Sequence, residues 1–397
     1  MKKFLNSLPA KLLLGIIIGI IVGLVAPEGL MKFLVPVKNV MSQLINFIVP
    51  LIVIGFIAPS ITKLGNNASK LLGVALILAY CSSVLAATMS AIAGYALVPL
   101  MNTAKEAAEL KALPEDILRL QIPQIMPVMS ALFFSVMIGL AAVWTKAKTI
   151  TSVLDEFQKI VLKLVEKVVI PVLPFFIACT FACLAYDGTI TNQLPTFLLA
   201  VVIVLIGHFI WMTVLYSVAG AYSKKNPKEV FKYYGPAYLT AVGTMSSAAT
   251  LSVALDCAHK SPVLRKDMVD FGIPLFANIH LCGSVLTETF FCFIVSSVLY
   301  GKLPNVGTMV LFILLFGIFA VGAPGVPGGT VMASLGIVTS VLGFGAEGTA
   351  LLIAIFAIQD SFGTACNVTG DGALTLMLTG YCEKHNIAMQ ENINVEL

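Results

Sequence analysis

Four polar residues near the C-terminal end of the chain share one helical face. Counted from the first of them, the others follow by 4, 7 and 11 residues: Asp360, Thr364, Asn367 and Asp371. At 3.6 residues per turn, these offsets form one narrow stripe along a helix. The flanking sequence is apolar, and carboxylates inside a membrane helix usually face a cavity that holds a cation. The spacing therefore predicts a binding site for a cationic group; the alternative is a soluble helix with a solvated edge.

The composition indicates a membrane protein. The 397 residues are 58% hydrophobic and 11% charged, whereas soluble domains carry about 25% charged residues. The N-terminus has a short basic stretch and a long apolar run without a cleavage site, which favours a first membrane helix over a signal peptide. The net charge of +4 does not indicate a nucleic-acid partner. The apolar composition predicts instead that the protein lies in a lipid bilayer.

Six apolar runs of roughly 20 residues or more are long enough to span a bilayer. They lie at about 11–26, 40–60, 71–101, 124–145, 160–186 and 194–222. If the spans alternate, most of the lysines outside them fall on one side, which is typical of the cytoplasmic face. We therefore expect a multi-pass protein of the cell inner (plasma) membrane with a cytoplasmic N-terminus.

Two later segments interrupt this pattern with small and polar residues. Residues 233–259 contain GTMSSAATLS, and residues 306–342 contain VGAPGVPGGT, whose prolines and glycines interrupt a helix. Each flank is too short to cross alone, and irregular backbone at membrane depth survives where it lines a cavity. The pattern predicts two re-entrant hairpins, each followed by a helix, at about 267–300 and 347–383. Such an inverted repeat is typical of secondary transporters; the alternative is a set of kinked spans.

At these residues the chain resembles the dicarboxylate/amino acid:cation symporter family, which has the glutamate-transporter fold. The matching segments are MSSAATL and APGVPGG at the hairpin tips, PLFANIHLCGS in the helix between them, and DSFGTACNVTGD in the last helix. The resemblance implies an all-α integral membrane protein with eight transmembrane helices plus two re-entrant helical hairpins. It also implies a homotrimer of elevator type, with helices 1–6 in residues 1–226 and a transport core in residues 227–397. Helices 3 and 6 are expected to move with that core.

The resemblance also assigns the substrate site. Asp360 corresponds to the acceptor of a substrate's α-ammonium, while Asn367 and the Ser246–Ser247 tip correspond to the site of its α-carboxylate. Further pocket positions come from the last helix, the helix before it and the second hairpin tip: Thr364, Gly363, Ser284, Gly325 and Val326.

A coupling-cation site is implied by the same comparison. Na⁺ prefers oxygen ligands. The corresponding positions are Asp371, Asn367, the backbone near His280, the hydroxyls of Ser82 and Ser83 in the third helix, and the backbone of the second hairpin at Gly322. Cys282 stands where the family usually has a sodium-ligating aspartate, so that part of the site is expected to be altered. Glu288 matches the proton-carrying glutamate of proton-coupled animal members. Glu288 and His280 are therefore candidates for H⁺ coupling, the alternative being a structural hydrogen-bonded pair.

The substrate class is expected to differ from that of acidic amino acid carriers. Those members have an arginine where this chain has Gly363, or at the first hairpin tip, where it has Met245. A second substrate carboxylate would then be buried without a bidentate partner. We expect the substrate to be a small neutral amino acid that is transported together with Na⁺, with H⁺ as a candidate additional coupling ion. The alternatives are an acidic amino acid or dicarboxylate carrier and an ion channel; no convincing metal or nucleophile set suggests an enzyme.

Overall fold

The computed structural model describes residues 8–66, 70–101, 112–115, 118, 120–323, 325 and 327–387. Within these ranges the chain folds almost entirely into α-helices. The first seven are α1 (Leu8–Val25), α2 (Glu28–Asn66), α3 (Lys70–Leu97), α4 (Val128–Thr145), α5 (Lys148–Leu164), α6 (Ile170–Tyr186) and α7 (Thr189–Ser223). The others are α8 (Lys228–Phe231), α9 (Gly235–Thr244), α10 (Ser247–His259), α11 (Lys266–Ile279), α12 (Cys282–Tyr300), α13 (Val306–Gly322), α14 (Gly329–Ser340) and α15 (Ala346–Lys384). The all-helical class is as predicted.

Five stretches of the described residues are long and apolar enough to cross a membrane. They are Glu28–Pro59, Lys70–Leu100, Pro195–Ser223, Lys266–Tyr300 and Ala346–Lys384. Shorter apolar helices include Leu14–Val25, Phe133–Thr145 and Pro171–Tyr186. The chain is thus a multi-pass membrane protein, and the predicted number of eight transmembrane helices stays a prediction.

Helices α1 and α6 approach each other closely through small residues. Gly15, Gly19 and Gly23 recur every four residues along α1. A Cβ added to Gly19 would stand 2.4 Å from the carbonyl oxygen of Ala178, and one added to Gly23 would stand 2.2 Å from that of Ala182. Glycines at this spacing let the backbones of two membrane helices touch, as in other small-residue helix contacts.

The fifth span was predicted from the apolar run at 160–186, but the helical structure around it begins before residue 160. Helix α5 starts at Lys148, and a π-helical turn at Val165–Val169 joins it to α6. Apolar residues such as Leu154 and Val161 are buried on one face of α5, while the other positions carry most of its charges. A search for uninterrupted apolar sequence misses this helix, because its apolar residues repeat with the 3.6-residue period and do not run continuously.

Two pairs of short helices occupy the segments predicted to be re-entrant hairpins. Helices α9 and α10 have 10 and 13 residues, which gives lengths of about 15 and 20 Å, well short of the roughly 30 Å of a bilayer core. The arms α9 and α10 pack against each other, as do α13 and α14. This arrangement is that of helical hairpins and not of kinked spans.

The breaks within the hairpins have identifiable local causes. Met245 adopts a left-handed conformation with φ 54° and ends α9. Ser246 then turns to extended backbone, and its side chain accepts a hydrogen bond from Ala249 N–H that caps α10. In the second hairpin, residues 323–328 separate α13 from α14, and Gly328 is left-handed with φ 73°.

The C-terminal helix α15 is unbroken over 39 residues and lies at the centre of this half of the protein. It packs against α7, α9, α11 and α12. The segment before it is interrupted at His280 and Leu281, which separate α11 from α12. The breaks at both hairpin tips and at His280 therefore lie around one long helix.

Candidate substrate and cation site

The predicted polar stripe of α15 faces the protein interior. All four of its side chains are buried: Asp360, Thr364, Asn367 and Asp371. In addition, Asp360 and Asp371 are at most 5% exposed. Because a buried carboxylate is stable only with hydrogen-bond or cationic partners, the contacts of each member indicate what it can bind.

Asn367 caps the beginning of α12. Its Oδ1 accepts hydrogen bonds from the N–H groups of Gly283 and Ser284, at 2.7 and 3.2 Å. Its Nδ2 donates to the hydroxyl of Ser284 at 2.9 Å. The first N–H groups of a helix have no partner within the helix. Asn367 therefore stabilises the broken segment and fixes the position of Ser284 beside the stripe.

Gly363 allows α12 and α15 to approach each other. A Cβ added to it would lie 3.4 Å from the Cα, N and Oγ atoms of Ser284. On the opposite side of the contact, a Cβ on Gly283 would lie 2.5 Å from the Gly363 carbonyl oxygen. The two glycines therefore lie where α12 packs against α15.

Asp360 contacts the tip of the second hairpin. Its Oδ2 accepts a hydrogen bond from Gly328 N–H at 2.8 Å, and Thr364 follows one helical turn later on the same face. Among the residues that the structure describes, no Lys or Arg forms an ion pair with Asp360. A carboxylate accepts about four hydrogen bonds, so this group retains capacity for a cationic ligand.

The two hairpin tips contact each other directly. Ser246 Oγ donates to the carbonyl oxygen of Gly325 at 2.8 Å, and Ala248 N–H is directed to the same oxygen at 3.4 Å. Ser247 is 2% exposed. In this conformation the Ser246 hydroxyl, one of the donors predicted for a substrate carboxylate, therefore binds the opposite tip. Val326, also predicted to line the pocket, lies outside the described residues.

Asp371 belongs to a buried chain of hydrogen bonds with His280 and Ser82. His280 Nδ1 is 2.9 Å from Asp371 Oδ1, and its Nε2 is 2.8 Å from Ser82 Oγ. The imidazole is completely buried. Asp371 Oδ2 and Ser83 Oγ are both buried without a hydrogen-bond partner. Both oxygens are of the kind that Na⁺ prefers. The hydrogen bonds of His280 join three elements at Asp371, namely α3, α15 and the break between α11 and α12.

Two further buried oxygens without a partner belong to residues close to Asp371 in sequence or packed against its neighbour Gly372. No pattern in the sequence indicated them. Tyr234 Oη and Thr369 Oγ1 are buried without a partner. The Tyr234 ring packs against Gly372, where a Cβ would lie 2.7 Å away. Tyr216 Oη donates to the Thr369 carbonyl at 2.8 Å.

Glu288 and His280 do not form the structural pair considered as an alternative. Glu288 lies on α12 and accepts a hydrogen bond from Ser334 of α14 through Oε1. Its Oε2 is buried and unpaired. His280 instead contacts Ser82 and Asp371, as described above. The two candidate proton carriers therefore belong to separate networks, one at the second hairpin and one at α3.

The remaining predicted cation position, Gly322, is the last residue of α13. The last carbonyl groups of a helix lack partners within it, and helix C-terminal ends coordinate cations in transporters built from broken helices. Gly322 is partly exposed. It lies on the second hairpin, a different element from those that carry His280 and Asp371.

Paired helical hairpins, a broken helix and buried carboxylates between them define a membrane transporter of the secondary class. The chain belongs to the sodium:dicarboxylate symporter family, whose sequence model matches residues 8–380. This family consists of transporters and not of enzymes.

Several animal transporters are similar to the chain. Excitatory amino acid transporter 2 of Mus musculus is 30% identical over 224 residues, which are 54% of this chain and 38% of the mouse protein. A putative sodium-dependent excitatory amino acid transporter of Caenorhabditis elegans is 27% identical over 289 residues, covering 70% and 55% of the two chains. Excitatory amino acid transporter 1 of Homo sapiens is 28% identical over 211 residues, covering 53% and 37%. The chain thus spans about half the length of these relatives or less.

Proposed function

We propose that the protein is a secondary active symporter that takes up a small amino acid together with Na⁺. The observation that carries this proposal is the buried carboxylate of Asp360 at the tip of the second hairpin. It accepts a hydrogen bond from the neutral Gly328 amide and has no ion pair with a Lys or Arg of the described residues. An α-ammonium group would supply the missing positive charge in a site that the stripe of α15 makes polar. Asn367, Ser246, Ser247 and Ser284 would surround the rest of the zwitterion.

The substrate is proposed to be neutral. The positions at which an arginine would bind a second carboxylate hold Gly363 and Met245, and Gly363 is in contact with α12. Without a basic partner, a second buried carboxylate would cost several kcal/mol. The second candidate is an acidic amino acid or dicarboxylate. It is favoured by the name of the family and by the names of the relatives, which are excitatory amino acid transporters.

Na⁺ is proposed to bind at Asp371. Its unpaired Oδ2, the side chain or carbonyl of Asn367 and the backbone near His280 provide oxygen atoms, and Ser83 adds an unpaired hydroxyl. A further cation would bind the end of α13 at Gly322. Coupling to H⁺ through Glu288 or His280 is proposed only as an addition to Na⁺.

We also propose that the protein works as a homotrimeric elevator with a cytoplasmic N-terminus. Residues 1–226 would supply the scaffold, with α3 and α7 moving with the transport core of residues 227–397. The contacts support this division: α1 packs on α6 and α2 packs on α4, whereas α3 packs on α12 and α13, and α7 packs on α15.

Uptake by purified protein in liposomes tests the proposed function. A panel of alanine, serine, aspartate and glutamate would be offered, with Na⁺ and pH gradients imposed separately. We expect an inward Na⁺ gradient to concentrate a neutral amino acid, and Asp360→Asn to abolish its uptake. Asp256→Asn, which removes an exposed carboxylate of α10, serves as the matched control and should transport normally.

Each other result has a defined meaning. Better accumulation of aspartate than of serine or alanine would establish the acidic candidate. Uptake that follows a pH gradient without Na⁺ would replace Na⁺ by H⁺ as the coupling ion. Normal uptake by Asp360→Asn would remove the basis of the proposed substrate site.

A further inference from the structure

The imidazole of His280 lies between two oxygen atoms that belong to different helices. Its Nδ1 is 2.9 Å from Asp371 Oδ1 on α15, and its Nε2 is 2.8 Å from Ser82 Oγ on α3. All three residues are buried, and His280 is 0% exposed. An ion that bound both oxygens from between them would have to occupy the volume that the ring fills.

We propose that the His280 side chain takes the place of one Na⁺ ion between α3 and α15. The ring joins the two helices by hydrogen bonds, as a cation would by coordination, and it leaves to Na⁺ only the second carboxylate oxygen of Asp371. This inference rests on the proposed function and adds to it the residue that sets how many Na⁺ ions bind. The protein thus binds one Na⁺ fewer than it would with an oxygen-bearing side chain at position 280.

The two hydrogen bonds require no charge on the ring. A carboxylate oxygen only accepts, so Nδ1 donates to Asp371, and in the neutral imidazole the other nitrogen is an acceptor. The Ser82 hydroxyl then donates to Nε2. A neutral histidine satisfies both partners, and the negative charge of Asp371 remains available to a Na⁺ ion at Oδ2.

Backbone and packing hold the ring in this place. His280 follows α11 with an extended backbone, φ −119° and ψ 108°, and its N–H donates to the Phe276 carbonyl at 2.9 Å. A Cβ added to Gly370 of α15 would lie 2.8 Å from Cε1 of the ring. Side chains in protein interiors are close-packed. A ring that is bonded at both nitrogens and packed at Cε1 does not turn aside to admit an ion.

Cys282 removes a further ligand for Na⁺ from the same surroundings. It begins α12 and is fully buried. A Cβ on Gly370 would lie 3.3 Å from Cys282 Sγ, so the thiol and the imidazole border the same glycine. Sulfur ligands suit soft metal ions, whereas carboxylate and carbonyl oxygens suit hard cations. The residues around the ring therefore do not fit Na⁺, although the family usually has a sodium-ligating aspartate at the position of Cys282.

The two adjacent serines of α3 differ in their contacts. Ser82 Oγ is bonded to His280, whereas Ser83 Oγ is buried without a hydrogen-bond partner, as is Asp371 Oδ2. The proposal therefore gives these hydroxyls different roles. Ser82 fixes the histidine, and Ser83 is available to Na⁺. Replacing each serine by alanine removes the same atom from neighbouring positions of one helix, which provides a matched pair of variants.

The serine pair tests the proposal in chains that keep His280. Thermal unfolding of the full chain over a series of Na⁺ concentrations gives the half-saturating concentration. Ser83→Ala should raise this concentration roughly tenfold, whereas Ser82→Ala should change it by less than about threefold. Ser82→Ala should nevertheless lower the unfolding temperature without Na⁺, because it removes a partner of the buried imidazole.

His280→Asn tests the number of ions directly. The shorter side chain gives up the volume of the ring, releases Asp371 Oδ1 and Ser82 Oγ, and adds an amide oxygen. Equilibrium binding of radioactive Na⁺ in lipid nanodiscs counts the ions bound per chain at saturation. We expect one more Na⁺ per chain than in the unaltered protein, and adding Ser82→Ala to this variant should weaken binding of the additional ion roughly tenfold. Retained binding of the transported amino acid shows that the variant is folded.

The inference is overturned if Ser82→Ala weakens Na⁺ binding as much as Ser83→Ala does, because Ser82 would then be a Na⁺ ligand beside the histidine. It is also overturned if folded His280→Asn binds the same number of Na⁺ ions as the unaltered protein. Failure of the proposed function gives a different result, in which the unaltered protein would bind neither Na⁺ nor any amino acid of the panel.

Discussion

Gly370 leaves the space that the imidazole of His280 occupies. A Cβ added to Gly370 would lie 2.8 Å from His280 Cε1 and 3.3 Å from Cys282 Sγ. The two residues are on different helical segments, and the next residue of α15, Asp371, accepts the hydrogen bond from His280 Nδ1. A glycine next to the carboxylate thus allows a ring to lie between Asp371 and Ser82.

Gly370→Ala should displace the imidazole and break its hydrogen bonds to Asp371 and Ser82. Overpacking of this kind typically costs about 1–3 kcal/mol. We expect a lower unfolding temperature in detergent and a reduced rate of Na⁺-driven uptake. Gly73→Ala is the matched control, since a Cβ on this helical glycine of α3 meets nothing within 4 Å; it should be neutral or slightly stabilising. Equal effects of the two variants would contradict the role given to Gly370.

Asp360 and Asp371 should separate the binding of the amino acid from that of Na⁺. Asp360→Asn removes the acceptor of the ammonium group, so it should abolish amino acid binding while Na⁺ still protects the protein against unfolding. Asp371→Asn should raise the half-saturating Na⁺ concentration at least tenfold, with a smaller effect on amino acid affinity at saturating Na⁺. Calorimetry with each ligand, at fixed concentrations of the other, would measure both. The opposite pattern would contradict the division of roles between the two carboxylates.

Sequence periodicity predicted the elements of the site but not the partners within it. The stripe on α15 and the break near Ser246 follow from local spacing and helix-breaking residues, and the structure has them at those places. The pattern predicted one continuous helix at 267–300, and only the family resemblance implied the break near His280 that the structure has. The contact between His280 and Ser82 joins residues 198 positions apart, and no local pattern indicates it. The same holds for Gly328 and Asp360. Helix α5 was missed for another reason, because charged residues alternate with its apolar stripe.

Asn367 should be more important for the stability of α12 than for charge balance. Asn367→Ala would leave the N–H groups of Gly283 and Ser284 buried without an acceptor, at about 1–3 kcal/mol for each group. Ser284→Ala keeps the Asn367 acceptor for both N–H groups and removes only the hydroxyl that accepts from Asn367 Nδ2. We therefore expect a large drop in thermal stability for Asn367→Ala and a smaller one for Ser284→Ala. If both variants unfolded at the same temperature, the cap would not be the reason for the asparagine.

Met245→Arg should shift the substrate preference toward acidic amino acids. Met245 ends the first hairpin's α9 and is only partly buried, so a longer side chain there meets less resistance than one at Gly363, which is in contact with Ser284. A guanidinium group beside the tip would pair with a second substrate carboxylate, and a charge-assisted pair of this kind is worth about 1.5–3 kcal/mol. Competition against uptake of the neutral substrate would measure the shift, with at least a tenfold gain expected for aspartate. Met245→Gln has similar length without the charge and should show no gain; an equal gain in both variants would mean that charge at this tip does not determine the substrate class.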